Sequence, residues 1–164
     1  MLKKRLVLIL LFLPALTFAQ TAAELDALLE TNTLTVSQAA RFTLGAVGLT
    51  PPELSGATAV NAAYQQALSN GWVRSAQEDA ITLQELAFLM MNAFELRGGI
   101  MYSIFRNPRY AYREMVYLRL MQGRVDANMR LSGQRFLQIL GRTLNYTGER
   151  EAMDELLRES GGIN

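Results

Sequence analysis

The stretch FRNPRYAYREMVYLRLMQGR, Phe105 to Arg124, sets Arg106, Arg109, Arg113, Arg119 and Arg124 among Tyr110, Tyr112 and Tyr117. A guanidinium presents a planar fork of donors that matches a carboxylate or phosphate, and a tyrosine ring offers a face for stacking. At helical spacing Arg109, Tyr112 and Arg113 share one face, as do Tyr110, Arg113 and Tyr117, while Met115 and Leu118 point elsewhere. The candidate ligand-binding residues are therefore Arg106, Arg109, Tyr110, Tyr112, Arg113, Tyr117 and Arg119, and the ligand chemistry is anionic. A plainer reading packs the tyrosines between helices and pairs the arginines with carboxylates.

The chain holds the charges for that pairing. Residues Gln20 to Leu96 carry eight acids against two arginines, whereas Arg97 to Arg150 carry ten arginines against three acids. The formal net charge of +1 conceals this division.

Catalysis has little to work with. The sequence contains no His and no Cys, which removes the usual groups that titrate or attack near neutral pH. No Gly-rich phosphate loop, zinc spacing or calcium loop occurs, so no enzyme activity, cofactor or metal is expected. Glu78 and Asp79 fall in a loop ahead of a helix, and Glu151, Asp154 and Glu155 fall on a solvated helix face; neither set reads as a hydrolytic pair. Trp72, just past Gly71, reads as a core or seam residue rather than a sugar platform.

These side chains need elements to position them. Met1-Leu-Lys-Lys-Arg5, an apolar run from Leu6 to Leu16 and Thr17-Phe18-Ala19 form the pattern of a secretory signal peptide, residues 1–19. The run is shorter than the roughly 20 residues that span a bilayer, and no later run reaches that length. The expected product is exported, periplasmic or extracellular and associated with the cell envelope, a single all-α domain over residues 20–164. Export argues against a nucleic-acid partner.

A repeated unit organises that domain. Thr82 and Glu85 have the spacing of a capping box, followed by Leu83, Leu86, Ala87, Met90, Ala93 and Phe94 at helical intervals. Thr35 to Leu49 and Ser132 to Tyr146 align with Thr82 to Leu96 without a gap, each opening with a hydroxyl residue after an aliphatic one: Leu34, Ile81 and Leu131. An amphipathic helix precedes each. Val60 to Gly71 closes on a left-handed glycine, Tyr112 to Gly123 repeats that plan from an Asn107-Pro108 cap, and Ala23 to Glu30 is a shorter version. The expected fold is three helix–loop–helix repeats over about 23–49, 58–96 and 108–146, with a separate C-terminal helix at about 149–160 after Gly148.

Three such units in an exported chain resemble the S-layer homology domain, whose second helices open with a signature like Ile-Thr-Arg-Ala-Glu. Ile81, Thr82 and Glu85 match that signature, with Leu83 in the arginine position; the other units read Leu34-Thr35-Val36-Ser37-Gln38 and Leu131-Ser132-Gly133-Gln134-Arg135. The resemblance implies a pseudo-threefold bundle whose grooves hold anionic cell-wall polysaccharide. On this reading the protein is a non-enzymatic envelope-binding domain for an anionic wall polymer or peptidoglycan. The alternative is a protein–protein assembly module that docks an envelope protein through an apolar groove, its mark being exposed side chains around Ile100-Met101-Tyr102 and Ile104-Phe105.

Overall fold

The computed structural model describes residues 22–51, 53–123 and 126–161, so the expected signal peptide lies outside the described residues. All regular secondary structure among them is helical: α1 (22–30), α2 (Val36–Ala46), α3 (Gly56–Ser69), α4 (Leu83–Ala93), α5 (Ile100–Ile104), α6 (Pro108–Tyr117) and α7 (Gly133–Gly161). None of these helices is long and apolar enough to cross a membrane.

Local chemistry starts each long helix. Thr35 accepts from the Gln38 amide and Gln38 reaches back to the Thr35 amide, and Thr82 and Glu85 form the same reciprocal box. The Ser132 hydroxyl accepts from the Arg135 amide at 3.3 Å, and Asn107 caps α6 ahead of Pro108 by accepting from the Tyr110 amide at 3.1 Å. α3 has no cap from its own Ser55; instead Glu24 of α1 accepts from the Gly56 amide at 3.0 Å and pairs with Arg41 of α2 at 3.5 Å.

The helix starts are also tied to one another. The first amides of α2, Val36 and Ser37, donate to the carbonyls of Asp79 and Gln77 at 2.9 and 3.1 Å, in the segment ahead of α4. Those of α4, Leu83 and Gln84, donate to Met129 and Ala127 at 2.9 and 3.0 Å, ahead of α7. The Gly133 amide of α7 donates to Thr31 at 2.9 Å, ahead of α2, which closes the ring. Inside it Leu34 donates to Leu131 at 2.8 Å and Ile81 donates to Leu34 at 3.0 Å. These amides have no intrahelical partner, so the ring satisfies donors that burial would otherwise penalise by about 1–3 kcal/mol each.

Apolar packing follows from that frame. Leu34, Ile81 and Leu131 are fully buried in a core with Leu28, Leu44, Met115 and Phe136. α4 is covered on most of its circumference, with Leu83, Leu86 to Met91 and Ala93 buried. α2 packs on α3, and α4 on α6.

Four helices stop in the same way. In α2, α3, α4 and α6 the residues Leu49, Trp72, Leu96 and Leu120 donate back to Leu44, Ala67, Met91 and Met115, each at 2.9 Å, after a left-handed residue. That residue is Gly48 or Gly71 in the first two, but Glu95 (φ 49°) and Arg119 (φ 57°) in the others. α6 therefore ends at Tyr117 rather than running to Gly123, because closing on Arg119 turns Leu120 and Met121 into the core.

The expected break at Gly148 is also corrected: α7 runs unbroken through it to Gly161, so the final helix is not separate. An exposed glycine costs a helix about 1 kcal/mol, too little to end one without a competing turn, and Gly148 has no positive φ.

One glycine in the ring has no substitute. A Cβ on Gly133 would stand 1.7 Å from the Leu28 carbonyl oxygen, a backbone atom that cannot rotate aside. Gly133→Ala is expected to destabilise the fold by upwards of about 2 kcal/mol in urea unfolding, whereas Gly148→Ala, with open space around it, should not lower stability.

Candidate functional site

The arginine–tyrosine segment does not form one surface. Arg109, Arg113 and Tyr117, spaced by one helical turn, line the exposed side of α6, with Tyr117 81% accessible. Tyr110 is half-buried and stacks on Phe105 with ring centroids 5.8 Å apart. Tyr112 is half-buried near Asp126 and Arg135; burial and then the Asp126 charge raise its pKa above the usual phenol value, against the lowering effect of Arg135. Arg119 is exposed at the left-handed turn. Arg124 lies outside the described residues.

Arg106, Arg109, Arg113 and Arg119 make no ion pair within 4 Å among the described residues.

Arg106 goes elsewhere, into a cleft of about 570 Å³ at the C-terminal end of α4. Trp72, Asn92, Glu95, Arg97 and Tyr102 line it with Arg106. The helix endings assemble these groups: Trp72 is the residue that closes α3, Glu95 is the left-handed residue of α4, and Arg97 follows at once. α5 contributes Tyr102, its one buried residue. Gly98 makes that placement possible, since a Cβ there would fall 2.5 Å from Cδ1 of the Tyr102 ring.

The cleft combines ring surface with charge. Trp72 is half-buried, leaving part of its indole accessible at the wall. Burial raises the Tyr102 pKa above the usual 10, and the nearby Arg106 charge and Asn92 side chain offset part of that rise. A second hollow of about 620 Å³ shares Trp72, Asn92 and Glu95 and continues past Leu49, Leu144 and Glu151. The two hollows therefore meet along one wall.

A larger hollow of about 750 Å³ beside Arg109 and Arg130 offers less. Its central polar groups, Thr82 and Glu85, are engaged in the cap of α4, where Ser75 also donates to Glu85. It has no aromatic wall. No cluster of three or more acids able to hold a metal ion occurs among the described residues.

Of the candidate residues only Arg106 lines this cleft; Trp72, which the sequence reads as a core or seam residue, does pack against the core and also lines it, and Arg97 and Tyr102 join it without having been candidates. The available signal was positional: Trp72 and Leu96 occupy the same place after their helices, so the residues beside them meet at one end of the bundle. Comparison with known proteins returned no matching family model, curated sequence or solved structure.

Phenol titration examines this geometry. Of the six tyrosines, Tyr102 and Tyr112 should ionise later than pH 10, and Tyr102→Phe should remove part of the late absorbance change. The neutral form of these two phenols favours folding below pH 10, the unfolded value, and that contribution is lost as pH rises through their higher folded pKa values. Stability should accordingly fall on the alkaline side of pH 10, and less steeply in Tyr102→Phe.

Proposed function

We propose that the protein is an exported, non-enzymatic domain of the cell envelope that binds an anionic wall glycan, peptidoglycan being the leading candidate. The observation that carries this reading is the cleft in which Arg97 and Arg106 stand beside the partly exposed Trp72 indole. Guanidinium groups select carboxylate or phosphate, and an aromatic face suits the apolar side of a sugar ring. The adjoining hollow past Leu49 and Glu151 leaves room for a chain of several sugars rather than a single one.

We further infer that the fold consists of three degenerate S-layer-homology-like units about a pseudo-threefold axis. Support comes from the ring of hydrogen bonds, in which the first helical amide after each cap reaches the segment ahead of another unit's cap. The signature arginine positions hold Val36, Leu83 and Gly133, all buried. An arginine there could not reach a ligand without breaking the core, so glycan contact in this protein moves to the arginines after α4 and α5.

Sedimentation with purified sacculi tests the reading, and the single tryptophan provides a second signal. Arg97→Ala with Arg106→Ala should weaken retention at least about tenfold, the loss expected when charged hydrogen bonds are removed. Soluble peptidoglycan fragments should change the Trp72 emission of the wild type and not of the double variant. Equal retention of both proteins would remove the glycan reading.

A further inference from the structure

We propose that the face formed by α5 and the outer stripe of α6 docks the protein onto an anionic phospholipid bilayer. α5 places Ile100, Met101 and Ile104 in solvent at 78%, 53% and 65% accessibility, and Phe105 beside them at 50%. Large apolar side chains exposed together on one short element mark a surface that another phase or molecule covers. Tyr102 alone anchors the helix inward.

The charge around this tip selects the occupant. Outside the Trp72 cleft this face carries Arg109 and Arg113, and the chain from Ser103 to Arg113 holds no carboxylate. α6 packs against α5 and presents Arg109, Arg113 and then Tyr117 along one exposed line. Glu114, the next acid, is half-buried and faces the backbone of Gly99, whose Cβ would lie 3.0 Å from its Oε1. The exposed border is thus cationic.

An apolar wedge bordered by arginines, with a tyrosine whose ring and hydroxyl prefer different phases, is the arrangement that sits at a lipid headgroup boundary. A second copy of the chain would bring the same arginines against each other in a two-fold contact. An anionic lipid surface neutralises them all. The contact proposed for this face is with the bilayer surface, and none of the described helices is long and apolar enough to cross it. None of Ile100, Ile104, Arg109, Arg113 and Tyr117 lines the Trp72 cleft, so this surface and the glycan reading stand or fall separately.

The absence of cysteine makes a site-specific test direct. Full chains carrying Met101→Cys, or Gln65→Cys on the exposed side of α3, are labelled with a polarity-sensitive fluorophore. Each is mixed with vesicles of phosphatidylglycerol and phosphatidylcholine in equal parts, or of phosphatidylcholine alone. The apolar N-terminal segment is common to both proteins and cannot by itself place position 101 in lipid while leaving position 65 in water. The label at 101 should shift to the blue on the anionic vesicles only, and the label at 65 should not respond.

Arg109→Glu with Arg113→Glu should weaken this response about 30-fold or more, from the usual contribution of a cation near an anionic leaflet. Arg109→Lys with Arg113→Lys should retain it. Three results would overturn the proposal: no difference between the two label positions, a response to phosphatidylcholine alone, or an unchanged response after charge reversal. A response of position 101 to a protein partner in the absence of lipid would overturn it equally.

Discussion

The first amides of a helix have no partner within it, and in this protein the starts of α2, α4 and α7 are joined to one another, each directly after a buried aliphatic residue. Each needs an acceptor from another segment, and each finds it in the stretch that leads into the next of the three. The arrangement closes only when all three segments are present. Caps formed by Thr35, Thr82 and Ser132 each satisfy one further amide from within the chain's own turns. The aliphatic residues immediately before them, Leu34, Ile81 and Leu131, then fill the middle. Side-chain capping, backbone pairing and core packing therefore coincide within a few residues of each helix start. A chain without disulfides depends on such coincidence for its stability.

The helix ends of α3 and α4, by contrast, line the Trp72 cleft. α3 and α4 end in the same left-handed turn, which brings Trp72, Glu95 and Leu96 together at one edge. Glu95 and Arg119 adopt that conformation without glycine's freedom, at a cost of about 1–2 kcal/mol each. The buried residues that follow, Leu96 and Leu120, offset it by returning apolar surface to the core. Carbonyl groups crowd the end of α4, and Arg97 and Arg106 stand where their positive charge complements that partial negative charge. The loop that holds these arginines also carries α5, so the proposed glycan cleft and the proposed lipid-facing tip are neighbours with separate residues.

Much of this frame was legible from sequence because its causes are local. A Thr with Gln or Glu three residues on is a capping box wherever the backbone permits, and Asn107-Pro108 is a helix start for the same kind of reason. The left-handed Gly71 was readable too. Errors arose where distant contacts decide. Gly123 looked like the end of α6 until burial of Leu120 favoured an earlier stop at Arg119. Gly148 looked like a break, yet nothing competes with the helix there. The need for Gly133 comes from the Leu28 carbonyl, more than a hundred residues away in sequence. The arginines and tyrosines of 106 to 119 were recognised by type, but a one-dimensional pattern could not reveal that α6 ends early and that Arg106 faces a different hollow from Arg109. Trp72 packs against the core as its sequence position suggests, but its place on the cleft wall depends on neighbours from separate elements that no local pattern reveals.

Amide hydrogen exchange measured residue by residue is the most direct test of the ring. The amides of Leu34, Val36, Ile81, Leu83 and Gly133 should exchange together, with protection equal to that of global unfolding, since no one of them can open without releasing the others. Early and independent exchange of any one pair, for instance Gly133 with Thr31 while Val36 and Leu83 stay protected, would contradict a closed ring and reduce the three helix starts to separate local caps.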